Sequence, residues 1–183
     1  LGRSDYVSIA EKSAGYILQT LVTDGRLLRT CRNGQAKLQG YLEDYSFLVN
    51  SLILLHEATL SGKWLKLAIE FAENMIYLFW DKTNRQFYDT GIDHESLIVR
   101  PINFQDNAIP SGSAIAADIL LKLAVITGRK EFEKYGQDAL KSSIPMLTQY
   151  PLGAGHWLCV LDFYLDKPKE VVVVGKSESY DTK

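Results

Sequence analysis

The stretch from Gln35 to Thr59, QAKLQGYLEDYSFLVNSLILLHEAT, does most to limit what this chain can fold into. From Leu42 its large apolar residues fall at Leu42, Tyr45, Leu48, Val49, Leu52, Leu55 and Ala58, three or four positions apart. In a helix that spacing makes one continuous face, and the face must be buried. Glu43 and Asp44 then lie in the first turn, where negative charge is favourable beside the free N–H groups. Helix stabilisation alone accounts for both carboxylates. A similar unit returns about 60 residues later: Asp106-Asn107-Ala108-Ile109-Pro110-Ser111-Gly112 leads into a helix over Ser111 to Thr127, faced by Ile115, Ile119, Leu120, Leu123 and Ile126. Two acid-bearing loops, each feeding a buried helix, predict a repeated helical unit.

The rest of the chain fits that unit. Ser4 is placed to cap a first helix from Asp5 to near Thr23, with Val7, Ile9, Ala10, Ala14, Ile17, Leu18 and Leu21 on its apolar side. A loop from Asp24 to Gly40 follows, with an extended piece at Leu27 to Thr30 and the hairpin-turn pair Asn33-Gly34. The helix from Tyr41 stops at Ser61-Gly62, and its mate runs from Lys63 through Phe79; a linker this short makes the two antiparallel neighbours. The loop from Asp81 to Pro110 is the longest, about 30 residues, a length that in compact domains is usually functional. Within it Gln86 to Asp89 and Ser96 to Arg100 read as two arms of a small hairpin. Helices over Arg129 to Leu147, where Pro145 should bend or break the last turn, and over Gly155 to Leu165 complete the count. The expected fold is an all-α array of three α/α hairpins with small β-ribbons in the loops. The alternation of long and short connections places the long loops at one end, the usual place for a site.

Composition excludes several classes of function. Of 183 residues 46% are apolar, enough to fill a core, and the net charge of −2 provides no basic field to collect nucleic acid. No apolar run reaches the 18 or more residues of a membrane-spanning helix. Cys31 and Cys159 stand in no metal-like or redox-like spacing and read as free thiols of a cytoplasmic protein. No metal-ligand cluster is apparent, and no cofactor is expected. The last residues hold one very apolar strand, Val171 to Val174, with no visible sequence partner, so the natural chain is expected to continue beyond Lys183.

Several blocks together resemble a known family. They are Gln35 to Leu48 with its Tyr41-Leu42-Glu43-Asp44-Tyr45 core, Phe79-Trp80-Asp81, Phe87-Tyr88-Asp89-Thr90, Asp106 to Ser113 with Pro110-Ser111-Gly112-Ser113, and Leu123 to Gly128. In this order and separation they are similar to the proteins related to spermatogenesis-associated protein 20. That family joins a thioredoxin-like domain to an (α/α)6 barrel of the six-hairpin glycosidase and N-acylglucosamine 2-epimerase type. The resemblance covers nearly the whole chain and falls on the barrel alone, so Cys31 and Cys159 do not inherit the cysteine chemistry of the thioredoxin-like part. It implies that residues 1–169 form three hairpins of a partial (α/α)6 toroid and that 170–183 are a strand and tail leading out of it. The histidine pair of the related epimerases has no residue-by-residue match here.

Among candidate site residues the carboxylates come first. Sugar chemistry needs one carboxyl to give a proton and another to act as base or nucleophile, about 5 to 9 Å apart across a cleft. Asp44 and Asp106 stand at equivalent ends of successive units and form the expected catalytic pair. Glu43 lies beside them; Tyr41, Tyr45, Phe87 and Tyr88 offer flat surfaces for a sugar ring, and Arg100 offers a cation for an anionic group or for Asp106. His56 borders an apolar helix face and reads as a helix-contact histidine, and His94 reads as a solvated loop histidine. His156, at a helix start where the dipole opposes a positive charge, is a hydrogen-bonding candidate for the site. Two functions follow: a carbohydrate-processing enzyme (epimerase, isomerase or glycoside hydrolase-like), or a non-catalytic helical domain that binds a saccharide or a protein. Apolar hairpin faces left uncovered at the ends of the array predict self-association as a dimer.

Overall fold

A computed structural model describes residues 3–95, 98–166, 168–169, 171 and 174–175. The expected strand at Val171 to Val174 and the Ser96-Leu97 end of the expected second ribbon arm fall largely outside the described residues. Among the described residues six α-helices carry the structure: α1 (Ser4–Thr20), α2 (Leu42–Thr59), α3 (Gly62–Phe79), α4 (Gly112–Thr127), α5 (Lys130–Gln149) and α6 (Gly155–Leu165). Helix makes up 62% of the structure, and the pairs α2–α3 and α4–α5 are packed α/α hairpins of the α/α-toroid type.

The short turns follow from single residues in left-handed conformation. Leu60 at φ 54° ends α2, with its N–H donating to the His56 carbonyl, and Gly128 at φ 69° ends α4. His56 is indeed a contact histidine: its Nδ1 lies 3.0 Å from the Ser61 carbonyl in the same turn. In the first helix Ser4 is already helical and makes no cap; Arg3 precedes it and pairs with Asp5. The bend expected at Pro145 does not break α5, which runs on to Gln149.

The core sits between the hairpins. Helix α4 is buried almost all round, from Gly112 through Leu121 and again at Leu123, because α2, α5 and α6 all pack on it. Facing it, α2 buries Leu42, Tyr45, Leu48, Val49, Leu52, Ile53 and Leu55. Helix α1 rests on α2 more loosely, with Ala14 its buried residue and Ile9 60% exposed. An apolar groove of about 750 Å³ runs between these two helices.

Two ribbons shape the loop end. Strand β1 (Val22–Thr23) pairs with β2 (Arg26–Arg32), and β2 pairs with β3 (Gln35–Gln39), with Arg32 opposite Gln35. Asn33 and Gly34 turn the second hairpin at φ 53° and 74°, the conformation for which Asn-Gly is selected. The second ribbon differs from expectation. Strand β5 (Gln86–Phe87) pairs backward with β4 (Trp80–Asp81), Trp80 opposite Phe87; forward, the Asp89 N–H donates to the Pro101 carbonyl, with no ladder among the described residues. The cause is the turn itself: the Asp81 carboxylate accepts from the Thr83 N–H at 2.9 Å, the Asn84 amide at 2.7 Å and the Tyr88 hydroxyl at 2.8 Å. Burial alone would raise the Asp81 pKa, but these bonds outweigh it and hold the carboxyl below its ordinary value.

Candidate functional site

Helices α2, α4 and α6 all begin at the end of the array where the long loops lie. Two clasps bring the loops onto those helix starts. The Leu42 N–H donates to the Asp89 carbonyl, and the Asp89 N–H to the Pro101 carbonyl, each at 2.9 Å. The long loop is thereby pinned to the first residue of α2. On the other side α4 begins hard against α2: a Cβ on Gly112 would lie 2.9 Å from the Glu43 nitrogen and 3.1 Å from its Cα, so only glycine allows this approach.

These contacts leave a cleft of about 540 Å³ whose wall includes Arg29, Tyr41, Glu43, Asp89, Asn103 and Gln105. Its volume is in the range of small-molecule sites, roughly 300 to 1,000 Å³. Arg29, held out by β2, donates to Glu43 at 2.7 Å and to Asp44 at 3.0 Å, and its guanidinium lies over the Tyr41 ring at 4.8 Å. Among the described residues Asp89 has no such cation partner. Burial pushes its carboxyl up to about 6; the Asn103 backbone N–H pulls the other way, and the charge of Glu43 adds to the rise. Glu43 and Asp89 thus share one cleft, the first ion-paired with Arg29 and the second with its pKa raised by burial to about 6.

The other candidates are placed differently. Asp44 caps α2: its Oδ2 accepts from the Tyr41 N–H at 2.8 Å as well as from Arg29. Asp106 braces the loop. Its two oxygens accept from the Ser111 N–H at 2.8 Å and the His156 N–H at 2.7 Å, while its own N–H donates to the Gly153 carbonyl. Tyr45 cannot touch a ligand, for its side chain is fully buried and its hydroxyl oxygen accepts from Arg26 and the Leu27 N–H. Phe87 is likewise core, at 1% exposure. Tyr88 turns to Asp81 and lies under Arg100, whose guanidinium donates to the Leu78 and Thr90 carbonyls and reaches neither Asp106 nor the cleft. His156 faces Asp118 on α4, at 3.1 Å. Burial would raise the Asp118 carboxyl, yet His156 and Lys122 together hold it below its ordinary value. His94 is not solvated: its side chain is 11% exposed, its Nδ1 accepts from the Gly91 N–H, and it packs on Tyr41 at 5.1 Å. Of the residues singled out in the sequence, Tyr41 and Glu43 line the cleft. Asp89 was missed; its signal was an acid closing the aromatic extended piece Gln86 to Asp89 in the longest loop.

Among the described residues no three His, Cys, Asp or Glu side chains come together to hold a metal ion, and no helix is long and apolar enough to cross a membrane.

Known proteins bear on this arrangement. No family model matches the chain. Spermatogenesis-associated protein 20 of Homo sapiens is 27% identical over 194 residues, and that of Mus musculus 28% over 197; each alignment takes in 100% of this chain and 25% of the relative. An uncharacterized protein of Caenorhabditis elegans is 26% identical over 182 residues, with 95% of this chain covered. The chain therefore spans about a quarter of the length of the curated relatives it matches. The likeness is distant. With the observed hairpins, it supports a six-hairpin-glycosidase-like architecture at the level of the fold.

Proposed function

We propose that the cleft between the starts of α2 and α4 is a saccharide site that moves a proton, with Asp89 as the acid–base group and Glu43, held by Arg29, as its partner carboxylate. The observation that carries this reading is the half-buried Asp89 carboxyl, raised to about 6 by burial, in the same cleft as the Arg29-paired Glu43. A group titrating near 6 is poised to give and take protons near neutral pH. Asp44 and Asp106, the pair suggested by sequence, become positioning residues: one fixes the start of α2, the other fixes the loop and the starts of α4 and α6. The side-chain amides of Asn103, Gln105 and Asn107 supply donors and acceptors suited to hydroxyl groups, while Pro101, Ile109 and Pro110 supply apolar wall. The resemblance to sugar-processing barrels points to the same ligand class, and through it to epimerase-, isomerase- or hydrolase-like chemistry.

The test is a panel of mono- and oligosaccharides followed by saturation-transfer NMR, with the bound sugars then incubated in deuterium oxide. Binding by the wild type that survives Asp89→Asn, together with proton exchange or turnover that does not, is the expected result. Binding without any Asp89-dependent chemistry would reduce the site to a recognition surface, and no binding at all would end the saccharide reading.

A further inference from the structure

The cleft has a definite charge character. Among the described residues Arg29 is the cation in its wall, and its charge is already paired with two carboxylates, Nη2 donating to Glu43 and Nη1 to Asp44. Two helix starts meet here, and a helix start ordinarily attracts anions through its free N–H groups. In this chain its own acceptors fill several of those positions. The Tyr41 N–H goes to Asp44, that of Leu42 to the Asp89 carbonyl, that of Ser111 to Asp106 and that of Ala114 to the Ser111 hydroxyl. Glu43 and Asp89 remain facing the cavity. Arg100, the residue whose type would suit an anionic group, is turned away onto Tyr88 and backbone carbonyls.

Resting on the saccharide reading above, we infer that the cleft selects uncharged sugars and rejects their anionic counterparts, uronates and sugar phosphates alike. A ligand carboxylate or phosphate would approach Glu43 and Asp89 with no unpaired cation among the described wall residues to compensate it, and like-charge juxtaposition in a partly desolvated cleft is a strong discriminator. The amides of Asn103, Gln105 and Asn107 discriminate in the same sense, since they pair with hydroxyls without needing a charge on them.

The experiment uses matched pairs of one skeleton: glucose with glucuronate and glucose 6-phosphate, and neutral oligosaccharides with their uronate analogues. Binding is measured by saturation-transfer NMR or calorimetry at pH 7.5 in low salt. The neutral member should bind at least about tenfold more tightly than the anionic one. Raising the salt should narrow the gap in the wild type, and Glu43→Gln or Asp89→Asn should narrow it further. Equal or tighter binding of the anionic member overturns this inference and leaves the saccharide site standing. Failure of every member to bind overturns both.

Discussion

Replacing Asp89 by Asn should make the protein more stable, and only above about pH 5. In the folded chain the Asp89 carboxyl titrates at about 6, against 3.8 for an unperturbed aspartate. The folded state therefore holds this proton more tightly than the unfolded state does. Stability is highest at low pH in this respect, declines as pH rises from about 4 to about 6, and stays lower by a constant amount above that. A shift of this size corresponds to about 3 kcal/mol as an upper bound. Asp89 is only partly buried, and solvent screening brings the working figure to about 1–2 kcal/mol. Asn keeps the shape and an oxygen for the Asn103 N–H but carries no charge. At pH 7.5 the variant should melt roughly 3–6 °C above the wild type. At pH 4, where the folded wild-type carboxyl is already protonated, the difference should nearly vanish. Scanning calorimetry at pH 4, 5.5 and 7.5 reads both the sign and the pH dependence. A variant that melts at or below the wild type at pH 7.5, or is shifted equally at all three values, would refute the reasoning.

Asp106→Asn should act in the opposite direction. Its amide would turn a donor toward the Ser111 or His156 N–H, at a cost of about 1–3 kcal/mol in urea unfolding, with Asp89 still titrating near 6. Gly112→Ala drives a methyl to 2.9 Å from the Glu43 nitrogen, so α4 must move off α2; a loss of about 1–3 kcal/mol and a changed Asp89 titration should accompany each other in the same NMR sample. The apolar groove between α1 and α2, with Leu54 53% exposed, is the face through which we expect self-association. Sedimentation at high micromolar concentration should show a dimer that Leu54→Asp disperses, and a monomer at all concentrations would contradict it.

How far the sequence could be read depended on the range of the contacts involved. The helices were legible because Leu42, Leu48, Val49 and Leu52, or Ile115, Ile119 and Leu123, repeat at helical spacing and bury themselves on that account. The Asn33-Gly34 turn was legible because it requires only its own two residues. Connection lengths alone placed the long loops at one end of the array, and the cleft lies among them. Asp89 was not legible as a site residue, for its place in the cleft comes from the clasp of its carbonyl on the Leu42 N–H, which joins two segments that nothing local marks as partners. Tyr45 falls in the apolar series of α2, and that membership outweighed its attraction as a sugar platform. Asp44 and Asp106 do stand at equivalent helix starts, as their repetition suggested, yet equivalence of position gave them equivalent structural work. The second ribbon went backward because the Asp81 side chain closes a turn at once, before the later branched residues can compete.

The Asp89 carboxyl is raised to about 6 by burial, and the Glu43 charge in the same cleft contributes to the rise. This is tested most directly by titrating the side-chain carboxyl carbons with 13C NMR in the wild type and in Glu43→Gln. Asp89 should titrate near 6 in the wild type and lower in the variant, because removing the Glu43 charge removes one cause of its rise. An Asp89 carboxyl that titrates near 4 in both proteins would contradict the account.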